Sequence, residues 1–374
     1  MRANDPFTRG PHPVGVRTEI WQDPARDIDI TVEVWYPADD SHRGQDLDPA
    51  TWDLFVPDWA AALDPDEVEP VAQQAVRNAE WHRPPEPPPL VLLIHGWAGF
   101  RRESTFLGTH LASHGYVVVS PDVHGSTWNE VDAFLTAQEP EGPPAAMLEH
   151  ARGIAITREK DIPFLVSTAI ERLPVRPDGV GVTGASFGGF SSVIAPNLDA
   201  RVAAIAPMCP ANDDAAINEG SQLFQEWIDR PWKSDAAVLI CAGDRDSLLP
   251  LYGQLALLRS LPASRKGLVA LGRADHNHFV DDIDVGHEWM AEFVARVARL
   301  FPNGPGDWPR VARSIGPISR LVPGETAKTA WRGAITTHFD AHLRGSASAA
   351  AALTDLNGTL ARAGVEATSV WENR

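Results

Sequence analysis

Val180-Gly181-Val182-Thr183-Gly184-Ala185-Ser186-Phe187-Gly188-Gly189 runs as a short apolar strand into a serine with a glycine two residues away on each side. That spacing is the G-x-S-x-G elbow, a sharp strand-to-helix turn that lifts the serine hydroxyl above the end of a sheet. Glycine is required at Gly184 and Gly188 because the turn brings two backbones together and leaves little room for a Cβ. A serine displayed in this way, beside a base, points to acyl transfer.

Glycine-rich strand-to-helix turns also cradle phosphates, and Thr183–Gly188 shares features with the opening of a short-chain dehydrogenase. Three observations weigh against a dinucleotide site. The turn lies mid-chain, the third glycine of the fingerprint is replaced by Phe190, and none of Tyr36, Tyr116 and Tyr252 has a lysine four residues on.

Outward from the elbow the chain alternates apolar strands with helical patterns. Leu90–Ile94 is continuously apolar, as a parallel strand covered on both faces requires. Similar strands are expected at 116–120, 179–183, 202–206, 236–241 and 267–271, with helices near 104–114, 146–172, 187–196, 248–261 and 286–300. The alternation predicts an α/β fold with a mostly parallel, doubly wound sheet. Ile28–Tyr36 alternates apolar and charged residues and reads as an antiparallel strand paired with Val14–Ile20. Residues 40–89 read as an insertion with a helix near 66–81, closed by the stiff run Pro84-Pro85-Glu86-Pro87-Pro88-Pro89. A catalytic domain is expected over 1–300, with covering segments at 124–145 and 210–235. A helical extension at 301–374 is expected to pack on it, built on a helix near 325–345 and a weakly specified Ala-rich stretch at 346–365.

In such a sheet the chemistry sits beyond the carboxyl ends of the strands. Asp244-Arg245-Asp246 follows one later strand and Asp275-His276-Asn277-His278 follows the last, giving the chain order Ser…Asp…His of the α/β-hydrolases. Asp246 fits a G-x-x-D-x-x-x-P spacing with Gly243 and Pro250, and Asp244 is the alternative. His276 follows a Gly-x-x-Asp-His pattern, and His278 competes with it. Ser186, Asp246 and His276 are therefore the candidate catalytic residues, with His278 a pocket or packing residue. His95-Gly96-Trp97-Ala98-Gly99 follows the first parallel strand, where a loop amide helps bind a developing oxyanion, so the backbone N–H groups of Trp97 and Phe187 are the candidate donors. His95 is read as a brace for that loop. Trp128, Trp227 and Trp232 lie in segments that commonly cover such sites and suit an apolar group. No cofactor is expected.

The 374 residues are 44% hydrophobic and 22% charged, the composition of a globular protein. A net charge of −18 argues against nucleic acid and against anionic membrane surfaces. No apolar run is long enough to insert stably in a bilayer. The first twenty residues lack an apolar signal core, so a cytoplasmic location is expected. Cys209 and Cys241 are the two cysteines, read as buried free thiols. Nothing here fixes the oligomeric state.

Several of these stretches resemble the platelet-activating-factor acetylhydrolases, the lipoprotein-associated phospholipase A2 group. They are Gly10-Pro11-His12-Pro13-Val14-Gly15, Val34-Trp35-Tyr36-Pro37, His95–Arg101, Leu111–Tyr116, Gly184–Gly189 and His276–Asp281, with a weaker echo at Phe339–Gly345. Dienelactone-hydrolase-like esterases and polyester hydrolases share the same features. The resemblance implies an α/β-hydrolase fold, a Ser-Asp-His triad, no metal, and hydrolysis of short or oxidised acyl esters. It places the base on His276 and the oxyanion donors on Trp97 and Phe187. The chain departs at the elbow, where Ala185 stands in place of the usual histidine, so carboxylic ester hydrolase is the class that carries over. A serine peptidase or acyltransferase on the same fold, and a non-catalytic binding protein that has kept it, are the alternatives.

Overall fold

The computed structural model describes residues 5–57, 68–215, 217–218 and 221–373. Twelve strands appear among them: β1 (Val14–Asp23), β2 (Ile28–Pro37), β3 (Asp53–Phe55), β4 (Val71–Gln73), β5 (Val76–Arg77), β6 (Leu90–Ile94), β7 (Val117–Pro121), β8 (Val180–Ala185), β9 (Val202–Met208), β10 (Ala237–Gly243), β11 (Arg265–Leu271) and β12 (Ala367–Asn373). The helices are α1 (Thr105–Ser113), α2 (Trp128–Thr136), α3 (Pro144–Arg172), α4 (Phe187–Leu198), α5 (Gln225–Ile228), α6 (Leu251–Ser260), α7 (Ile283–Leu300), α8 (Trp308–Ser314), α9 (Gly324–Leu343), α10 (Ala347–Thr354) and α11 (Leu356–Arg362).

Ten strands form one sheet in the order β12-β11-β10-β9-β8-β6-β7-β2-β1-β5. Strands β6 to β11 run parallel to one another, and β2 joins β7 antiparallel, followed by β1 antiparallel to β2. Each parallel strand is wholly or almost wholly buried because each has two faces to cover. Along β6, Leu90, Leu92 and Ile94 enter a core shared with α3, α4, α6 and α7, while Val91 and Leu93 enter one shared with α1 and α9. That strict alternation follows from the two-residue period of a strand. After β6 the chain winds to β7 on one side and then crosses to β8 on the other, so the strand order reverses at β6. A crevice opens at such a reversal, beyond the carboxyl ends of the two strands that flank it.

Two expectations change. The helix near 66–81 is not formed over its described part: residues 71–73 and 76–77 are extended, and β4 pairs antiparallel with β3. Residues 58–67 lie outside the described residues. Pro70 cannot donate a helical hydrogen bond. Beyond it Gln73 is tied down as a buried polar group, its Oε1 accepting from Trp35 Nε1 at 2.6 Å and its Nε2 donating to Asp53 at 2.7 Å. The second difference is β12, which pairs antiparallel with β11 over Arg265–Leu271 in a stretch expected to be helical. Gly267 makes room for it, since a Cβ there would lie 2.4 Å from the Trp371 ring. No helix among the described residues is long and apolar enough to cross a membrane.

Candidate active site

Ser186 joins β8 to α4 with φ 57° and ψ −116°, a backbone geometry that residues with a side chain rarely adopt. The elbow glycines explain how the chain holds it. A Cβ on Gly184 would lie 2.1 Å from the Ile94 carbonyl oxygen, and one on Gly188 would lie 1.8 Å from the same atom. The turn is thus pressed onto the end of β6, the neighbouring strand. Ser186 N–H donates to the Met208 carbonyl at 2.9 Å and Phe190 N–H to the Ser186 carbonyl at 3.0 Å, which locks the turn to β9 on the other side.

The acid turn and the histidine loop follow β10 and β11. His276 Nδ1 lies 3.0 Å from Asp246 Oδ2. The other carboxylate oxygen accepts from the backbone N–H groups of Leu248 at 3.0 Å and Leu249 at 2.8 Å. A carboxylate held this way accepts the Nδ1 proton, which leaves Nε2 as the basic nitrogen. Asp275 fastens the two loops together, accepting from Ser247 N–H and Oγ at 2.8 Å each and from His276 N–H at 2.7 Å. Burial works against a charged His276 ring, yet Asp246, with a further contribution from Cys209, raises its pKa well above the ordinary value. The Cys209 thiol is fully buried beside that ring, and burial raises its own pKa. Ligand-type atoms of Cys209, Asp246 and His276 lie within 4.8 Å of one another, so among the described residues the grouping with metal-ligand spacing contains the His–Asp pair. Both cysteines are free thiols.

The competing candidates go elsewhere. Asp244 is exposed and caps the turn by accepting from Arg273 N–H at 2.6 Å. His278 is fully buried with its ring between the carbonyls of Asp275 and Val322, at 3.1 Å from each, and does not face the cavity. Of the three tryptophans, Trp128 borders the Ser186 cavity. Trp227 packs inward, its Nε1 donating to Glu159 at 2.8 Å and its ring meeting Phe190 edge-on. Trp232 lies in a separate depression with Arg230 and Lys233. Both sit past β9, and position in the chain did not reveal which way the indoles face.

The candidate oxyanion loop, His95 to Gly99, is braced from beneath. His95 Nε2 accepts from Val123 N–H at 2.9 Å and its Nδ1–H donates to the Gly96 carbonyl at 2.8 Å. Burial, with the Arg158 charge adding to it, pushes the His95 pKa down to about 3, so the ring is neutral. Arg158, from α3, is itself fully buried. Its guanidinium donates to the carbonyls of His95 at 2.9 Å and Gly96 at 3.2 Å and to the hydroxyls of Ser191 and Ser126. Burial lowers its pKa to about 9, which still leaves it charged at neutral pH. Glu103 accepts from Gly96 N–H at 2.9 Å.

Ser186, His276, Trp97 and Phe187 line one cavity of about 540 Å³. Its wall is a run of touching aromatics: Trp97 meets Phe293 edge-on at 5.2 Å, Trp289 stacks on Phe293 at 4.9 Å, and Trp128 meets Trp289 at 4.9 Å. Trp308 from α8 closes the wall behind Trp97. His150 accepts from Trp97 Nε1 at 3.1 Å and fixes that indole. Sequence reasoning missed Glu103, Arg158, His150, Trp289, Phe293 and Trp308. Arg158 alone left a trace, as a charge on the apolar stripe Ile154, Ala155, Ile162, Leu165 of α3.

Comparison with known proteins gives two family matches and a solved structure of the same fold. Residues 78–260 match the dienelactone hydrolase family, and residues 3–141 match platelet-activating factor acetylhydrolase, isoform II. A solved ferulic acid esterase from Streptomyces cinnamoneus has the same fold at a TM-score of 0.55 and 24% identity, over 92% of this chain and 93% of that one. No curated protein matches the chain. The fold and the two family matches, which between them span the oxyanion loop, the elbow and the acid turn, make this chain an α/β-hydrolase-like esterase.

Proposed function

We propose that the protein cleaves carboxylic esters of short to modest acyl length through a serine acyl-enzyme. Ser186 attacks the ester carbonyl while His276 Nε2 takes its proton. Asp246 holds the imidazole tautomer and stabilises the imidazolium. The tetrahedral oxyanion is received by the amides of Trp97 and Phe187. Phe187 is the first residue of α4, so its N–H has no acceptor within the helix. Donors of this kind are worth about 3–4 kcal/mol each in related settings. The alcohol leaves, water enters, and the same histidine activates it to release the acid.

The observation that carries the reading is the 3.0 Å His276–Asp246 contact on a cavity that Ser186 also lines. The aromatic wall favours an apolar acyl or alkyl group. Residues 124–145, which contain α2, and 210–235, which contain α5, are proposed to cover the site, with 301–374 as an extension of the catalytic body. Turnover of p-nitrophenyl acetate and butyrate tests the proposal. Ser186→Ala is expected to lower kcat by about 10⁴-fold or more with the fold intact. Turnover that survives this change would assign the nucleophile elsewhere.

A further inference from the structure

Gly96 sits between two peptide units: Arg158 holds the carbonyls of both, and Glu103 holds the N–H of the first. The carbonyl of the Gly96–Trp97 peptide accepts from Arg158 Nη2 at 3.2 Å, Ser126 Oγ at 3.2 Å and His95 Nδ1 at 2.8 Å. A trans peptide is planar with its C=O and N–H antiparallel. Anchoring the Gly96 oxygen downward therefore turns the Trp97 N–H the opposite way, towards the cavity. The N–H of Gly96 itself points at Glu103, whose Oε1 accepts it at 2.9 Å. The second oxygen of the same carboxyl lies beneath Gly99, where a Cβ would come within 2.1 Å of it. Glu103 also grips the histidine loop through its backbone, accepting from Asp281 N–H at 2.9 Å.

We propose that Glu103 is a positioning residue for ester hydrolysis: its carboxyl clamps the loop from Gly96 to Gly99 against the Arg158 anchor, so that the Trp97 amide is preorganised for the oxyanion. Preorganised donors stabilise charge without reorganising during the reaction, so freeing the loop removes transition-state binding. A side chain that merely preceded α1 would have no reason to span the loop or to line the cavity, as Glu103 does.

The clamp has a titratable jaw. Burial pushes the Glu103 carboxyl up to about 7, against the opposing pull of the Gly96 N–H and the Arg158 charge. Asp281 raises it further, and the His276 charge lowers it. An ionised carboxylate accepts more strongly than a protonated one. The clamp therefore tightens as pH rises through that value and slackens below it.

The inference rests on Ser186 as nucleophile, and the experiment separates the two. Wild type, Glu103→Ala and Glu103→Gln are assayed on p-nitrophenyl butyrate from acid to alkaline pH. Labelling by a serine-directed fluorophosphonate and thermal melting are followed in parallel. Glu103→Ala is expected to lower kcat at least about tenfold with KM within roughly threefold, the mark of an interaction made in the transition state. Glu103→Gln, which can still accept from Gly96 N–H but carries no charge, is expected to recover part of that loss, to the relative activity of a wild type with Glu103 protonated. It should also erase a step in the wild-type pH profile near 7. An alanine variant with kcat within about threefold of wild type would overturn the proposal. If that variant fails to fold, the glutamine profile decides: a step near 7 that persists in Glu103→Gln overturns it as well. A wild type that neither labels at Ser186 nor turns over ester overturns the nucleophile assignment and this inference with it.

Discussion

At the scale of single residues, the proposed proton-handling pair, His276 and Asp246, would set the pH response. His276 acts as a base only when neutral, and Asp246 raises its pKa well above 6.5 against the pull of burial. Below the raised pKa the ring holds a proton and cannot accept the one from Ser186. The value of kcat/KM should therefore fall as pH drops through that raised value, placing the optimum on the alkaline side. Asp246→Asn should move that fall to lower pH, since the charge that raises the His276 pKa is gone, and lower kcat by about 10³–10⁴-fold, because an amide no longer fixes the tautomer. A pH–rate profile of the two proteins checks both points. Ser186, Asp246 and His276 could be proposed from the sequence because each follows a strand end, and strand ends converge in a parallel sheet. Glu103 and His150 were not legible. Their roles depend on which side chain a folded loop happens to cover, and neither stands in a motif.

At the scale of elements, the elbow depends on two strands lying side by side. Gly188 packs against the Ile94 carbonyl, so Gly188→Ala must separate β6 from α4 or distort the turn. A loss of about 1–3 kcal/mol in stability is expected, with a larger loss of activity because Ser186 moves with the turn. Differential scanning calorimetry alongside ester turnover measures the two effects separately. Strands and helices of the parallel core were readable from periodicity, since burial on both faces makes β6 to β11 largely apolar. The segment after Pro70 was not. Its alanines and glutamines suit a helix by propensity, and the tertiary bonds of Gln73 to Trp35 and Asp53 hold it extended instead.

At the scale of the whole molecule, distant parts of the chain share one cavity wall. Trp308, far from the elbow in sequence, closes the pocket behind Trp97. Trp308→Ala should enlarge that end and raise kcat/KM for an octanoate ester over a butyrate ester by about tenfold, a gain of the size that one or two extra methylenes in an apolar pocket provide. A series of p-nitrophenyl esters of rising chain length reads the shift, and an unchanged ratio would remove Trp308 from the pocket. Strand β12 carries a further consequence. It seals the outer edge of β11, the strand that delivers His276, yet it is made ninety-six residues later, counting from Leu271 to Ala367. While a ribosome is still extending the chain, that flank stays open to pairing with a stranger. His276 is thus carried beside the flank that closes last, and its setting waits on a segment outside the lining of the Ser186 cavity.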